Sequence, residues 1–259
     1  MTANEILQNL KDEADFDGTH YHLEWDLVLT ELELIELAQR RAAEVAEWAG
    51  VPERPLMQAH AADGSPALWP MDTELTYTFA EDSFERLGKP GYLEQARAAL
   101  ATACGDWAEA LPELPIRPAA EGEEPLFEVR MIARRGGLLA RAFFPDAPAE
   151  NRVLRVCPPA FESPDTYPLD GVFRHELGHV LGFRHEHIRP ESGMRTREQK
   201  DNTTALTGYD EYSVMHYPKP PANQGPHRFG ISKLDRQGAR RAYGVGDLAT
   251  VAGVSEPEA

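Results

Sequence analysis

Apolar residues recur at helical period in two long stretches of the chain. In the first, Leu32, Ile35, Ala38, Ala42, Val45 and Ala49 form one stripe. Thr30 and Glu33 ahead of it have capping-box spacing, and Gly50 and Pro52 close it. In the second, Leu93, Ala96, Leu100, Cys104, Trp107 and Leu111 line one face over residues 91–111. Elsewhere the period changes to two. Leu75, Tyr77 and Phe79 alternate with Thr76 and Thr78, which predicts a half-buried strand. Three further strands are expected at Phe127–Ala133, Leu138–Phe144 and Arg152–Cys157. Strand, helix, then three strands predicts an α+β fold, or α/β with a mixed sheet. Residues 51–72 (VPERPLMQAHAADGSPALWPMD) are rich in turn formers and read as a linker.

These patterns divide the chain. Residues 1 to about 65 read as an ordered N-terminal extension, 66–247 as the main domain and 248–259 as a frayed tail. Charge sharpens the first boundary, since residues 1–60 hold 13 acidic and 4 basic side chains. The whole chain of 259 residues has a net charge of −17, which argues against a nucleic-acid partner and against docking on anionic membranes. No apolar run reaches the ~20 residues of a membrane-spanning helix. The start, MTANEILQNLKDEADFDG, has neither a basic segment nor an apolar core, so no secretory leader is visible. A cytoplasmic or non-classically exported protein is therefore expected. Two cysteines, Cys104 and Cys157, make no disulfide framework and read as buried thiols.

The chemistry concentrates at residues 171–187, GVFRHELGHVLGFRHEH. Within it lies His175-Glu176-x-x-His179-x-x-Gly182-x-x-His185. His175 and His179 at i and i+4 share one helix face, so both imidazoles can reach one ion. Glu176 is rotated off that face, placed to contact a water on the metal rather than the metal. Gly182 accepts the left-handed backbone that ends helices, so the chain can turn back and deliver His185. Three imidazoles with a fourth position open describe a catalytic zinc site, one Zn2+ per chain; a structural site would be closed by four protein ligands. His20, His22, His60, His187 and His227 fit no such spacing and read as surface or loop residues, His187 being placed to touch the rim of the site because it follows His185. Ser232 and Asp235 form a second capping box, opening a C-terminal helix that runs to Tyr243.

About thirty residues after the zinc motif comes Tyr209-Asp-Glu-Tyr-Ser213-Val-Met215-His216-Tyr217-Pro218. A long zinc motif followed by a methionine turn resembles the metzincin clan of metallopeptidases. Within it, Gly182-Phe183-x-His185-Glu186 and Ser213-x-Met215-His216-Tyr217 are similar to the astacin family. The resemblance covers residues ~66–246 and is tight in these two motifs. It implies an α+β zincin: a twisted mixed sheet, an edge strand over the cleft at 138–144, a long active-site helix and a C-terminal helix. It further implies a zinc endopeptidase acting on protein or peptide substrates. Glu176 would be general base and proton shuttle, Met215 an apolar floor beneath the metal, and Tyr217 a mobile ligand that stabilises the oxyanion. Family members are held latent by a pro-segment carboxylate on the metal; here Asp26, or failing it Asp17, would take that place.

The chain departs from the family pattern in places. His187-Ile-Arg-Pro-Glu191 replaces the usual Arg-x-Asp-Arg-Asp run after Glu186, and two cysteines cannot form the family's disulfides. A bacterial-style member fits better than an animal one. The competing reading from another class is a catalytically silent, zinc-stabilised binding module. Glu176 separates the two, because such a module has no use for a base beside an open metal position.

Overall fold

Five strands build the central sheet, in the order β6–β5–β7–β9–β8. These are β5 (Leu75–Phe79), β6 (Ile116–Pro118), β7 (Phe127–Met131), β8 (Ala140–Arg141) and β9 (Val153–Val156). β5 runs parallel to both β6 and β7, and β7 runs parallel to β9. Only β8 is antiparallel, with Ala140 opposite Val156 at the sheet edge. Period-two patterning explains β7, where Phe127, Val129 and Met131 are buried while Glu128 and Arg130 point outward. The computed structural model describes residues 7–8, 11, 15–16, 20–23, 27–31, 34–35, 57–61, 64–133, 138–162, 164–189, 192, 203–216 and 229–245. The fold is α+β with a twisted mixed sheet, as the order of elements implies.

Helices α1 (Glu81–Leu87) and α2 (Tyr92–Ala110) connect β5 to β6. α2 buries the stripe read from the sequence, including Ala96, Leu100, Cys104 and Trp107. That face packs on α4 (Leu169–Val180), which follows the short α3 (Pro159–Glu162). Trp107 anchors the contact: its Nε1 donates to the Arg174 carbonyl at 2.9 Å and its ring stacks on Phe183 at 5.8 Å. Arg174 adds ion pairs to Asp106 of α2 at 2.5 Å and to Asp170 one turn back at 2.6 Å. The C-terminal helix α5 (Lys233–Ala242) opens on the expected capping box of Ser232 and Asp235.

Several features differ from the sequence reading. Residues 57–59 are not linker. They form strand β4 (Met57–Ala59), antiparallel to β10 (Thr203–Ala205), and all three residues are buried. Three residues are too few to show a period, so flanking Pro and Gly dominated the pattern. Trp69, in the same stretch, is also buried and donates to the Val180 carbonyl at 2.7 Å. Helix α1 and strand β6 were not expected, for the same reason of length. The strand expected over 138–144 pairs only at Ala140–Arg141, after which the chain leaves the sheet.

The acidic N-terminal stretch contains an antiparallel sheet of β1 (Asp15–Phe16), β2 (His20–Leu23) and β3 (Leu27–Thr30) that the charge pattern hid. Glu31, Leu34 and Ile35 are helical, and Leu34 is fully buried. The rest of the helix expected over 30–49 lies outside the described residues, as do Asp17, Asp26 and Tyr217. Among the described residues, no helix is long and apolar enough to cross a membrane.

Cys104 and Cys157 are both buried, and no disulfide joins them. Burial pushes the Cys104 thiol up to about 12, well above the range where a thiolate forms. Neither thiol should therefore be alkylated in the native protein at pH 8, and both should react fully in denaturant. Rapid labelling of native protein would contradict the packing of α2.

Candidate metal centre

Helix α4 carries His175 and His179 one turn apart and then stops within one residue of Leu181. The stop is a Schellman motif: Phe183 N–H donates to the Gly178 carbonyl and Gly182 N–H to the His179 carbonyl, both at 2.9 Å. Gly182 sits at φ +90°, in the region glycine alone enters freely. A Cβ there would also lie 2.3 Å from the Ala67 carbonyl oxygen. The chain reverses at this point and brings His185 back beside the helix.

His185 Nε2 lies 3.2 Å from His175 Nε2 and 3.2 Å from His179 Nε2. A tetrahedral ion bound at ~2.0–2.1 Å holds its nitrogens roughly 3.3 Å apart, so the convergence has the right size. The tautomers agree. His175 Nδ1 faces the Val214 carbonyl and His179 Nδ1 faces the Phe183 carbonyl, each at 2.7 Å. A carbonyl can only accept, so Nδ1 carries the proton and each Nε2 turns a lone pair toward the common point. These three histidines are the group of donors among the described residues that could hold a metal ion. A cation there meets the converging lone pairs of the set at once.

Glu176, next to the first of these histidines, is 4% exposed. Met215 is fully buried, and its Sδ packs so close to Gly178 that a Cβ at 178 would lie 2.2 Å from it. The ring of Phe144, just past the sheet-edge strand, meets the His179 ring edge-on with centroids 5.5 Å apart. Phe144 thus walls the site. Its only sequence signal was its place at the end of the edge-strand segment.

A buried polar group continues from His185. His187, expected at the surface, is 1% exposed, with its ring centroid 4.8 Å from that of His185. The short helical turn Glu186–Ile188 tucks it inward. His216 Nε2 and Tyr209 Oη are 3.0 Å apart. Glu186 donates its backbone N–H to the Met215 carbonyl at 2.8 Å and accepts from Asp210 N–H at 2.9 Å. Its carboxylate lies 3.4 Å from Arg189, yet burial outweighs that attraction and pushes the carboxyl up to about 8.

The turn 213–216 is itself gripped from α5. Asp235 accepts from Ser213 Oγ at 2.6 Å, Val214 N–H at 2.8 Å and Ser232 N–H at 2.9 Å. Burial pushes this carboxyl up, and those three hydrogen bonds oppose the shift.

No protein-family model matches the chain. A stretch of 104 residues is 32% identical to nematocyst expressed protein 6 of Nematostella vectensis, covering 32% of this chain and 36% of that protein. The chain thus spans about a third of the length of this curated relative. Among solved structures, myroilysin is similar at a TM-score of 0.43 and 16% identity, covering 68% of this chain and 95% of that one. High choriolytic enzyme 1, a hatching enzyme zinc-protease from Oryzias latipes, has a TM-score of 0.39 and 17% identity, covering 73% and 94%.

Gly182 generates a stability prediction. Gly182→Ala forces a Cβ both into the left-handed region and against a backbone oxygen. The backbone strain alone is of order 1–3 kcal/mol. The urea midpoint should fall accordingly, and zinc affinity should fall with it because the turn delivers His185. An unchanged midpoint would show that the reversal at 182 is not constrained.

Proposed function

We propose that this chain is a zinc-dependent endopeptidase, astacin-like in its metal motif. The observation that carries the reading is the convergence of three Nε2 atoms at zinc spacing beside a buried glutamate. His175, His179 and His185 would hold one zinc per chain and leave a coordination position open. When bound, zinc supplies a Lewis acid for the scissile carbonyl and lowers the pKa of water toward ~7.

The remaining steps belong to the chain. Glu176 takes the proton of the attacking water at its carboxylate oxygen and returns it to the leaving amine nitrogen. Its burial keeps competing solvent away from that exchange. Tyr217, carried over from the motif resemblance, would donate its hydroxyl to the developing oxyanion. An extended substrate would add to the sheet edge at β8 through backbone hydrogen bonds, which suits a protein or peptide and no other polymer. Phe144, standing against His179, supplies an apolar surface at the same end of the site.

The reading is tested with a peptide library, with and without a chelator. Cleavage should require the metal and return when zinc is restored. Glu176→Gln should retain one zinc and lower kcat by about 10²–10⁴, the usual weight of a general base. Activity within tenfold of wild type would place the base elsewhere. Tyr217→Phe should lower kcat by about 10²–10³ with little change in KM, as for one lost oxyanion donor; an unchanged kcat would leave Tyr217 a packing residue.

A further inference from the structure

The acid of the C-terminal helix's capping box is wired to the metal centre. Asp235 is fully buried, and its two carboxylate oxygens divide their work. Oδ2 accepts the N–H of Ser232 at the helix start at 2.9 Å and the N–H of Val214 at 2.8 Å. Oδ1 accepts the Ser213 hydroxyl at 2.6 Å. Ser213 Oγ in turn accepts the Met215 N–H at 3.0 Å. Two consecutive amides of the turn are therefore held, one directly and one through a hydroxyl.

The carbonyls of the same two residues reach toward the histidine-bearing segments. The Val214 carbonyl accepts His175 Nδ1–H at 2.7 Å, and the Met215 carbonyl accepts the backbone N–H of Glu186, the residue after His185, at 2.8 Å. One carboxylate thus fixes the turn that orients a helix-borne imidazole and tethers the loop bearing another. An acceptor oxygen shared between Val214 N–H and the helix start stiffens the turn against rotation.

We propose that Asp235 is a positioning residue for the metal site, acting on His175 through the Val214 segment rather than merely capping a helix. The inference rests on the zinc reading above and deepens it. Groups that orient a metal-bound histidine commonly change affinity 10–100-fold when lost. Asp235 reaches the imidazole through a turn, so Asp235→Ala should weaken zinc by about 10-fold and Asp235→Asn by about threefold. Asparagine retains one acceptor for the two N–H groups but loses the second, which accepts the Ser213 hydroxyl.

The test uses the full chain, with zinc affinity measured by competition against a chromophoric chelator. Cobalt is substituted in parallel to read ligand geometry from its visible absorption. The Asp235 change should shift the cobalt spectrum. In a His175→Ala background the further loss should be smaller than in the wild type, because the route through Val214 is gone and only the tether to the His185 loop remains. In a His179→Ala background the full loss should remain. Equal losses in both backgrounds, or an unaltered spectrum and affinity, would overturn the inference. If the alanine variant does not fold, Asp235→Asn enters the same cycle and is judged by the same contrast. Wild-type protein that takes up no zinc overturns the metal-site reading and this inference with it. Wild-type protein that binds zinc while the cycle shows no coupling overturns this inference alone.

Discussion

Two hydrogen bonds decide the geometry of this molecule's centre: His175 Nδ1–H to the Val214 carbonyl and His179 Nδ1–H to the Phe183 carbonyl. An imidazole on a helix can rotate about two bonds, and both of its nitrogens can bind metal. A carbonyl facing Nδ1 removes that freedom. It fixes the tautomer, so the lone pair sits on Nε2, and it fixes the ring, so the lone pair points at the shared position. Everything else near the site can be read as a means of holding those two carbonyls still.

The Phe183 carbonyl is held by the backbone. The Schellman closure at Gly182 sets the turn from the helix side, and β4 sets it from the other. Ala59 N–H donates to the Gly182 carbonyl and Arg184 N–H to the Met57 carbonyl, each at 2.8 Å. β4 is thus sandwiched between the metal-bearing turn and β10, and any division of the chain that leaves residues 57–59 out of the main body strips a strand from that turn. The Val214 carbonyl is held by a side chain instead, from a helix twenty residues further on. One ligand is positioned by a strand that precedes the domain core in sequence, the other by the helix that ends it. The metal centre therefore depends on both ends of the folded body.

Which parts were legible in the sequence follows from range. The donors were legible because their spacing is local: i and i+4 on a helix, then a glycine, then a third histidine. Strands β5, β7 and β9 and helix α2 were legible because each is long enough to show its period. β4 and β6 were not, because three residues carry no readable period, nor was α1, because seven residues make only two helical turns; their conformation is set by what they pack against. Asp235 was half legible. Its bonds with Ser232 are a local pattern, whereas its bonds to Ser213 and Val214 join segments about twenty residues apart and leave no spacing to read. His187 was misread for a related reason: nothing in His-Glu-His shows that the helical turn at 186–188 folds its side chain inward rather than to solvent.

Burying so many polar groups around one position runs against stability unless each has partners, since a buried group without them costs about 1–3 kcal/mol. Asp235 accepts three hydrogen bonds, which is what lets a fully buried carboxyl be tolerated. Glu186 has weaker support, from one amide and an arginine at 3.4 Å, and its carboxyl is accordingly pushed up toward neutrality. The two acids flank the same turn from opposite sides, one through Val214 N–H and the other through the Met215 carbonyl. A turn gripped in this way cannot relax to follow an imidazole that moves. Water kept out of the same space leaves each remaining dipole stronger than it would be in solvent. Rigidity and low dielectric thus have one origin here: the polar groups that fix the histidines are themselves buried.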